Sequence, residues 1–260
     1  MSKLILMYFS PTNTTKKIVS AVGKIFFERL LSETAIIDLT RISARLKEYV
    51  FTEEDILVFG APVYGGRLPQ LLVPVIDNCK GNGARAVILS VYGNRDYDDA
   101  LAETADLFSE RGFKICAAGA FIGEHSYSRK VGANRPDLED ILAAQTFAVM
   151  AYEKVIRGTL IHKTLKGKRP YKQLSMFMEK PKQTPKILSD RCTHCGKCVS
   201  VCPVCNIAAD LTTFDRCIGC GACVKFCPFG AREFMDENII AAREKLEQNC
   251  LERKNPEFFI

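Results

Sequence analysis

The chain has 260 residues, 47% hydrophobic and 25% charged, with a formal net charge of +6, a balance that fits one or two packed globular domains and excludes a disordered, collagen-like or low-complexity fibre. No apolar run approaches the roughly 18 to 20 residues of a membrane span. The charge is uneven: residues 1–153 hold 17 Lys and Arg against 19 Asp and Glu, residues 154–191 hold 11 against 2, and residues 192–260 hold 8 against 9.

Met1 to Ser10 carries one Lys and a six-residue apolar stretch, Leu4 to Phe9, too short for a secretory core and reading as a first strand. Lys3–Phe9, Thr34–Leu39, Asp55–Gly60, Arg85–Tyr92 and Phe113–Gly123 are apolar runs rich in β-branched residues and predict five strands. Stretches of helical period lie between them, near Thr14–Leu31, Leu68–Asn78, Tyr97–Arg111 and Pro136–Arg157. Arg41–Thr52 is less regular and helix-compatible. This alternation predicts an α/β fold, a doubly wound five-stranded parallel sheet of strand order 2-1-3-4-5.

From Gly158 to Ser189 there are three Pro, many Lys and no sustained period, which reads as a connector with at most short helices. Then Asp190-Arg-Cys-Thr-His-Cys-Gly-Lys-Cys-Val-Ser-Val-Cys-Pro203 recurs 25 residues later as Asp215-Arg-Cys-Ile-Gly-Cys-Gly-Ala-Cys-Val-Lys-Phe-Cys-Pro228. Asp236 offers the N-cap of a polar helix to about Glu252. Eight of the twelve cysteines fall in the two repeats, which without an export signal speaks for metal binding in a reducing cytoplasm and against disulfides.

The spacing C-x2-C-x2-C-x3-C-P, twice over, resembles bacterial two-cluster ferredoxins. The resemblance implies an α+β module in which Cys192, Cys195 and Cys198 with Cys227 hold one 4Fe-4S cluster, and Cys217, Cys220 and Cys223 with Cys202 hold the other. Gly196 and Gly221 allow the loops positive backbone angles. Two structural zinc sites are the alternative, disfavoured because zinc ribbons lack the third Cys, the crossed fourth Cys and the following Pro. Cys205 reads as unligated and His194 as solvent-exposed. Cys79, Cys116 and Cys250 read as packing residues.

After the first strand stands Ser10-Pro11-Thr12-Asn13-Thr14-Thr15-Lys16, hydroxyls opening into a helix N-terminus, an arrangement that holds a phosphate without a basic residue. The loop resembles that of flavodoxins, S/T-x-T-G-x-T, which binds the FMN phosphate. It departs at Asn13, where the family has Gly and where Asn tolerates the same left-handed angles. Two further loops, Gly60–Pro69 and Tyr92–Ala100, lie at carboxyl ends of strands, where open α/β sheets bind ligands. Both look like isoalloxazine loops: Tyr64 or Tyr92 to stack on the flavin, Gly65 and Gly93 to let backbone amides approach, Asn94 and Arg95 to donate to flavin oxygens. Pro62, Val63, Tyr97 and Asp98 complete the expected cofactor-binding set. The reading is FMN and not FAD; no NAD(P)H site and no catalytic constellation is visible, and His125 and His162 read as surface or loop residues.

The whole chain thus resembles flavodoxin-ferredoxin fusion proteins of anaerobic bacteria and archaea. The resemblance divides it into a flavodoxin-like domain (1–157), a basic connector (158–186), a ferredoxin domain with two 4Fe-4S clusters (187–235) and a C-terminal helix and tail (236–260). It implies a cytoplasmic electron-transfer flavo-iron-sulfur protein serving redox partners such as a ferredoxin or an oxidoreductase. The alternative is an FMN-dependent reductase of a small-molecule substrate fed by its own ferredoxin domain, with Arg67, Arg95 or Tyr127 orienting the substrate and Gly123–Arg135 as its edge or lid. The connector, with Lys163, Lys166, Lys168, Arg169 and Lys172, reads as solvated or packed near the cofactors, or more sharply as a dock for an acidic partner or phosphate-bearing substrate. A nucleic-acid role is disfavoured because no recognised DNA or RNA module accompanies it.

Overall fold

The structure, a computed structural model, describes residues 3–173 and 184–260; the connector expectation at 174–183 lies outside the described residues. Strand β1 (Leu4–Tyr8) is buried along its whole length, as its unbroken apolar run requires of a central strand covered on both faces. It pairs in parallel with β2 (Thr34–Asp38) and, on its other side, with β4 (Ile56–Pro62). Beyond β4 follow β6 (Arg85–Tyr92) and β7 (Lys114–Ile122), also parallel. Counted along the chain, these five strands take the expected order 2-1-3-4-5.

Two apolar layers cover the sheet. Ile18, Val22 and Phe26 of α1 (Thr14–Leu30) and Ala144, Phe147 and Ala151 of α5 (Leu138–Arg157) form one. Val75 and Ile76 of α3 (Val73–Asp77) and Leu101, Ala105 and Phe108 of α4 (Ala100–Glu110) belong to the other. Edge-on ring contacts of Phe26 with Tyr152 and of Phe121 with Phe147 tie α1, α5 and β7 together.

Three local expectations change. The Leu68–Asn78 helix is split into a 3-10 turn at Gln70–Leu72 and the short α3, with Pro69 and Pro74 at the two starts, since proline suits a first turn and not an interior. Arg41–Thr52 holds only α2 (Ile42–Arg45), followed by β3 (Tyr49–Val50) paired to β5 (Cys79–Lys80). The five-stranded sheet has a sixth strand: β10 (Glu257–Phe259) pairs antiparallel with β7. Phe258 packs there on Phe121 and Phe147, and burial of that ring holds what the sequence reads as a tail.

In the cysteine-rich segment, β8 (Lys186–Ile187) and β9 (Arg232–Glu233) form a two-stranded sheet. Each repeat contributes one helical turn, α6 (Lys197–Ser200) and α7 (Ala222–Lys225). The apolar core here is small, Ile207, Leu211 and Cys223, the situation in which a bound metal commonly supplies the missing stability. Helix α8 (Glu237–Asn249) follows; Asp236 caps it by accepting the N–H groups of Asn238 and Ile239. Residues 158–173 run along the sheet domain: Leu165 is buried in its core, Lys166 pairs with Asp96 at 2.9 Å, and Arg169 grips Asp106 with two contacts of 2.6 and 2.7 Å. Lys166 and Arg169 are thereby paired with acids of the sheet domain. Among the described residues no helix is long and apolar enough to cross a membrane.

Candidate functional site

The loop between β1 and α1 is a capped turn. Asn13 adopts φ 66°, the left-handed angle for which Asn is the best substitute for Gly. Ser10 Oγ accepts the N–H of Lys16 at 2.9 Å, and the hydroxyls of Thr12 and Thr14 lie 3.4 Å apart. Thr15 Oγ1 is buried without a hydrogen-bond partner among the described residues.

Beside this loop, at the carboxyl ends of the strands, a cavity of about 620 Å³ opens. Thr12, Thr14, Pro62, Val63, Tyr64, Gly65, Tyr92, Gly93 and Arg95, all expected cofactor residues, line it. Ser10, Asn13 and Thr15 shape the loop from behind and are not in the wall. Of the two tyrosines left open by the sequence, Tyr92 turns its ring into the core against Tyr97, centroids 5.5 Å apart, while Tyr64 stays partly exposed in the cavity. Burial, with nearby cysteine sulfurs adding to it, pushes the Tyr64 hydroxyl well above its ordinary pKa.

Three expected residues point elsewhere. Asn94 spends its carboxamide on the C-terminal segment, donating to the carbonyl oxygens of Cys250 and Glu252 and accepting from Lys254 N–H and the Arg135 guanidinium. It has no donor left for a cofactor. Tyr97 is fully buried and donates to Glu257 at 2.7 Å; Asp98 pairs with Arg95 and, at 3.9 Å, Lys172. Arg67, a candidate for orienting substrate, forks onto Glu103 at 2.7 and 2.6 Å and is likewise taken.

The opposite wall holds residues for which the sequence carries little signal. Glu124–Tyr127 follows β7, and His125, a half-buried loop residue, is part of the wall. A Cβ on Gly93 would lie 2.5 Å from the His125 ring, so this close approach requires glycine there. Burial, then the charge of Arg95, lowers the His125 pKa to about 4. Tyr127 rests edge-on against Phe234 at 5.1 Å. Ala242, Lys245, Leu246, Asn249 and Cys250 of the C-terminal helix and its end close the cavity, giving Cys250 a place at its edge. Only the amphipathic period of α8 could have hinted at a buried face.

None of the twelve cysteines is in a disulfide. Two small cavities collect the cluster candidates: Cys192, Cys195, Cys198 and Cys227 line one, and Cys202, Cys217, Cys220 and Cys223 line the other. Among the described residues no three His, Cys, Asp or Glu side chains converge closely enough for a single metal ion; the thiols surround a space and not a point. The repeat is also a structural one. Gly196 and Gly221 have φ 70° and 73°, and the N–H groups of Asn206 and Ala231, four residues past Cys202 and Cys227, each donate to those sulfurs at 3.2 Å. Burial raises the Cys220 thiol pKa and pushes Cys223 up to about 12, so thiolates there need a cationic partner, as metal coordination supplies. Cys205 lines neither cavity, and His194 is exposed.

Residues 144–206 match the family described as a 4Fe-4S dicluster domain, and residues 213–233 match the 4Fe-4S binding domain. Each match contains one copy of the cysteine repeat. The chain is a flavodoxin-like fold carrying a 4Fe-4S ferredoxin module. Among solved structures, the flavodoxin-like part is similar to a flavodoxin from the domain Archaea (14% identity, 60% of this chain and 99% of that one, TM-score 0.41). It is also similar to oxidised flavodoxin 1 of Bacillus cereus (17%, 58% and 97%, 0.42) and an azoreductase of Bacillus anthracis (14%, 59% and 100%, 0.40). These likenesses are distant; the strand order carries the fold. No curated protein matches the chain. Within the ferredoxin module, Ile218 and Gly219, between Cys217 and Cys220, line the 620 Å³ cavity, so the second thiol cavity and the large cavity share a wall. The first lies farther out, with Cys195 exposed.

Proposed function

We propose that the chain is an electron-transfer flavo-iron-sulfur protein holding two 4Fe-4S clusters and one FMN in series. The observation that carries this reading is the shared wall: Ile218 and Gly219 belong both to the cysteine loop and to the large cavity. The residues suit FMN. A cavity of about 620 Å³ is within the range of small-molecule sites, Tyr64 offers a ring face, Thr12 and Thr14 offer hydroxyls, and the first-turn amides of α1 suit a phosphate. FMN, when bound there, supplies a store for one or two electrons, and the clusters supply one-electron steps.

The chain's own residues set the order. Cys202, Cys217, Cys220 and Cys223 would hold the cluster beside the cavity; Cys192, Cys195, Cys198 and Cys227 would hold the outer one, where a redox partner can approach. The C-terminal helix lines the cavity with Ala242 and Leu246, an apolar strip on that side. Partners such as a ferredoxin or an oxidoreductase would meet the chain at the outer cluster, where Cys195 is exposed.

One observation favours a second reading, reduction of a small anionic substrate. A polar groove of about 1010 Å³, lined by Arg129, Arg191 and Arg243, shares Thr12 and the Glu124–Tyr127 wall with the cavity. Steady turnover of a small molecule by the reduced protein would select this reading; reduction of redox proteins alone would select the carrier.

The test is anaerobic preparation followed by a visible spectrum and iron, sulfide and flavin counts, with about eight irons and one FMN per chain expected from the ligand sets. Cys195→Ser and Cys220→Ser should each lower the iron count with the other cluster's signal retained. A pale chain without sulfide that retains no flavin would overturn the proposal.

A further inference from the structure

Lys225 ends α7, the helical turn that also carries Cys223. Its ammonium leaves the ferredoxin module and reaches the flavodoxin-like part, donating to the carbonyl oxygen of Thr12 at 2.9 Å and contacting the Glu124 carboxylate. Thr12 belongs to the hydroxyl loop, and both Thr12 and Glu124 line the large cavity. Gly123, the residue before Glu124, is packed against Thr14: a Cβ there would lie 2.9 Å from Thr14 Cβ. The cation thus stands where the hydroxyl loop and the β7 loop meet, on the polar-groove side of the Thr12 and Glu124 wall that the groove and the large cavity share.

This position matters because of the charge that the proposed cofactor brings. A phosphate monoester carries roughly −1.5 to −2 at neutral pH. The Ser10–Thr15 loop offers hydroxyls and amides, which favour an anion but do not neutralise it, and Glu124 in the same wall would repel it. A cation between the carboxylate and the loop offsets that repulsion, and an ammonium–phosphate hydrogen bond is of the strong, charge-assisted kind.

Resting on the FMN reading above, we propose that Lys225 completes the phosphate end of the flavin site in trans from the ferredoxin module, making FMN retention and docking of the inner cluster turn mutually dependent. The dependence is reciprocal: whatever holds α7 in place tightens FMN, and FMN holds α7 in place.

The experiment is a pair of fluorescence titrations of the full-length chain, prepared anaerobically and stripped of flavin, with FMN and with riboflavin, which lacks the phosphate. Lys225→Met should weaken FMN by roughly tenfold, as expected for loss of one hydrogen bond to a charged group, and leave riboflavin affinity unchanged. Lys225→Arg should restore most of the difference. Glu124→Gln, which keeps the fold and frees the ammonium, should raise the preference for FMN over riboflavin. Equal losses for both flavins, or no loss in Lys225→Met, would overturn the assignment while leaving the FMN reading intact. If the wild-type chain binds neither flavin, the FMN reading itself fails and the role of Lys225 with it.

Discussion

The side-chain nitrogen of Asn94 lies 2.8 Å from the carbonyl oxygen of Cys250, a residue 156 positions away. The same carboxamide donates to Glu252 O at 2.7 Å and accepts Lys254 N–H at 3.2 Å, so one buried side chain at the β6 loop fastens the chain leaving α8. That helix lines the cavity, and this fastening joins the Ser128 and Lys130 contacts to Glu247 in holding it.

Asn94 sits at φ 59°, an angle that Gly adopts without cost. Asn94→Gly therefore isolates the hydrogen bonds. It should destabilise the protein by about 1–3 kcal/mol and speed amide exchange of Lys254, both measurable by thermal melting and hydrogen exchange. Unchanged exchange there would mean that β10 and the Arg135 and Arg253 contacts hold the segment without Asn94.

Gly196 and Gly221 are equivalent in the repeat and share positive φ, yet a Cβ on Gly196 meets nothing within 4 Å whereas one on Gly221 would stand 2.9 Å from the Ser126 carbonyl oxygen. Gly196→Ala should cost only the backbone term, roughly 1–2 kcal/mol. Gly221→Ala should cost more and push the inner cluster turn off the cavity wall. Flavin release and the thermal midpoints of the two variants separate the effects.

Arg135 and Asp140 are both almost fully buried and paired, with Arg135 Nε donating to Asp140 Oδ2 at 2.9 Å. Arg135 also donates to Lys254 O at 2.9 Å. Arg135→Met leaves the buried Asp140 carboxylate only the Asp137 N–H at 3.0 Å and the more distant Arg253 at 3.7 Å, and should cost up to about 3–5 kcal/mol, the range for removing one partner of a buried pair. Denaturant unfolding should show it as a lowered midpoint.

His125 gives a pH dependence of definite sign. Its folded pKa is about 4 against roughly 6.5 in an unfolded chain, so the unfolded state takes up the proton first. The stability it contributes is complete above about pH 6.5, falls as pH drops through that value and levels off below about 4. Between pH 7 and 4 the wild-type melting temperature should fall more steeply than that of His125→Gln; parallel curves would place the imidazole in solvent.

Much of the fold and part of the site are written in local signals. The five parallel strands follow from apolar runs, the hydroxyl loop from its position between a strand and a helix, and the crossed thiol sets from a resemblance carried by two copies of one spacing. The left-handed angle at Asn13 is likewise a property of that residue and its neighbours. By contrast, that Tyr92 packs its ring on Tyr97 while Tyr64 stays partly exposed, that Asn94 turns from the cavity, that His125 enters its wall, that Ile218 and Gly219 join it to the cysteine loop, and that Glu257–Phe259 extends the sheet were decided only by tertiary structure. A backbone angle or a ligand spacing is set by covalent neighbours, whereas the direction in which a side chain finds burial and hydrogen-bond partners is set by segments that meet only when the chain closes on itself.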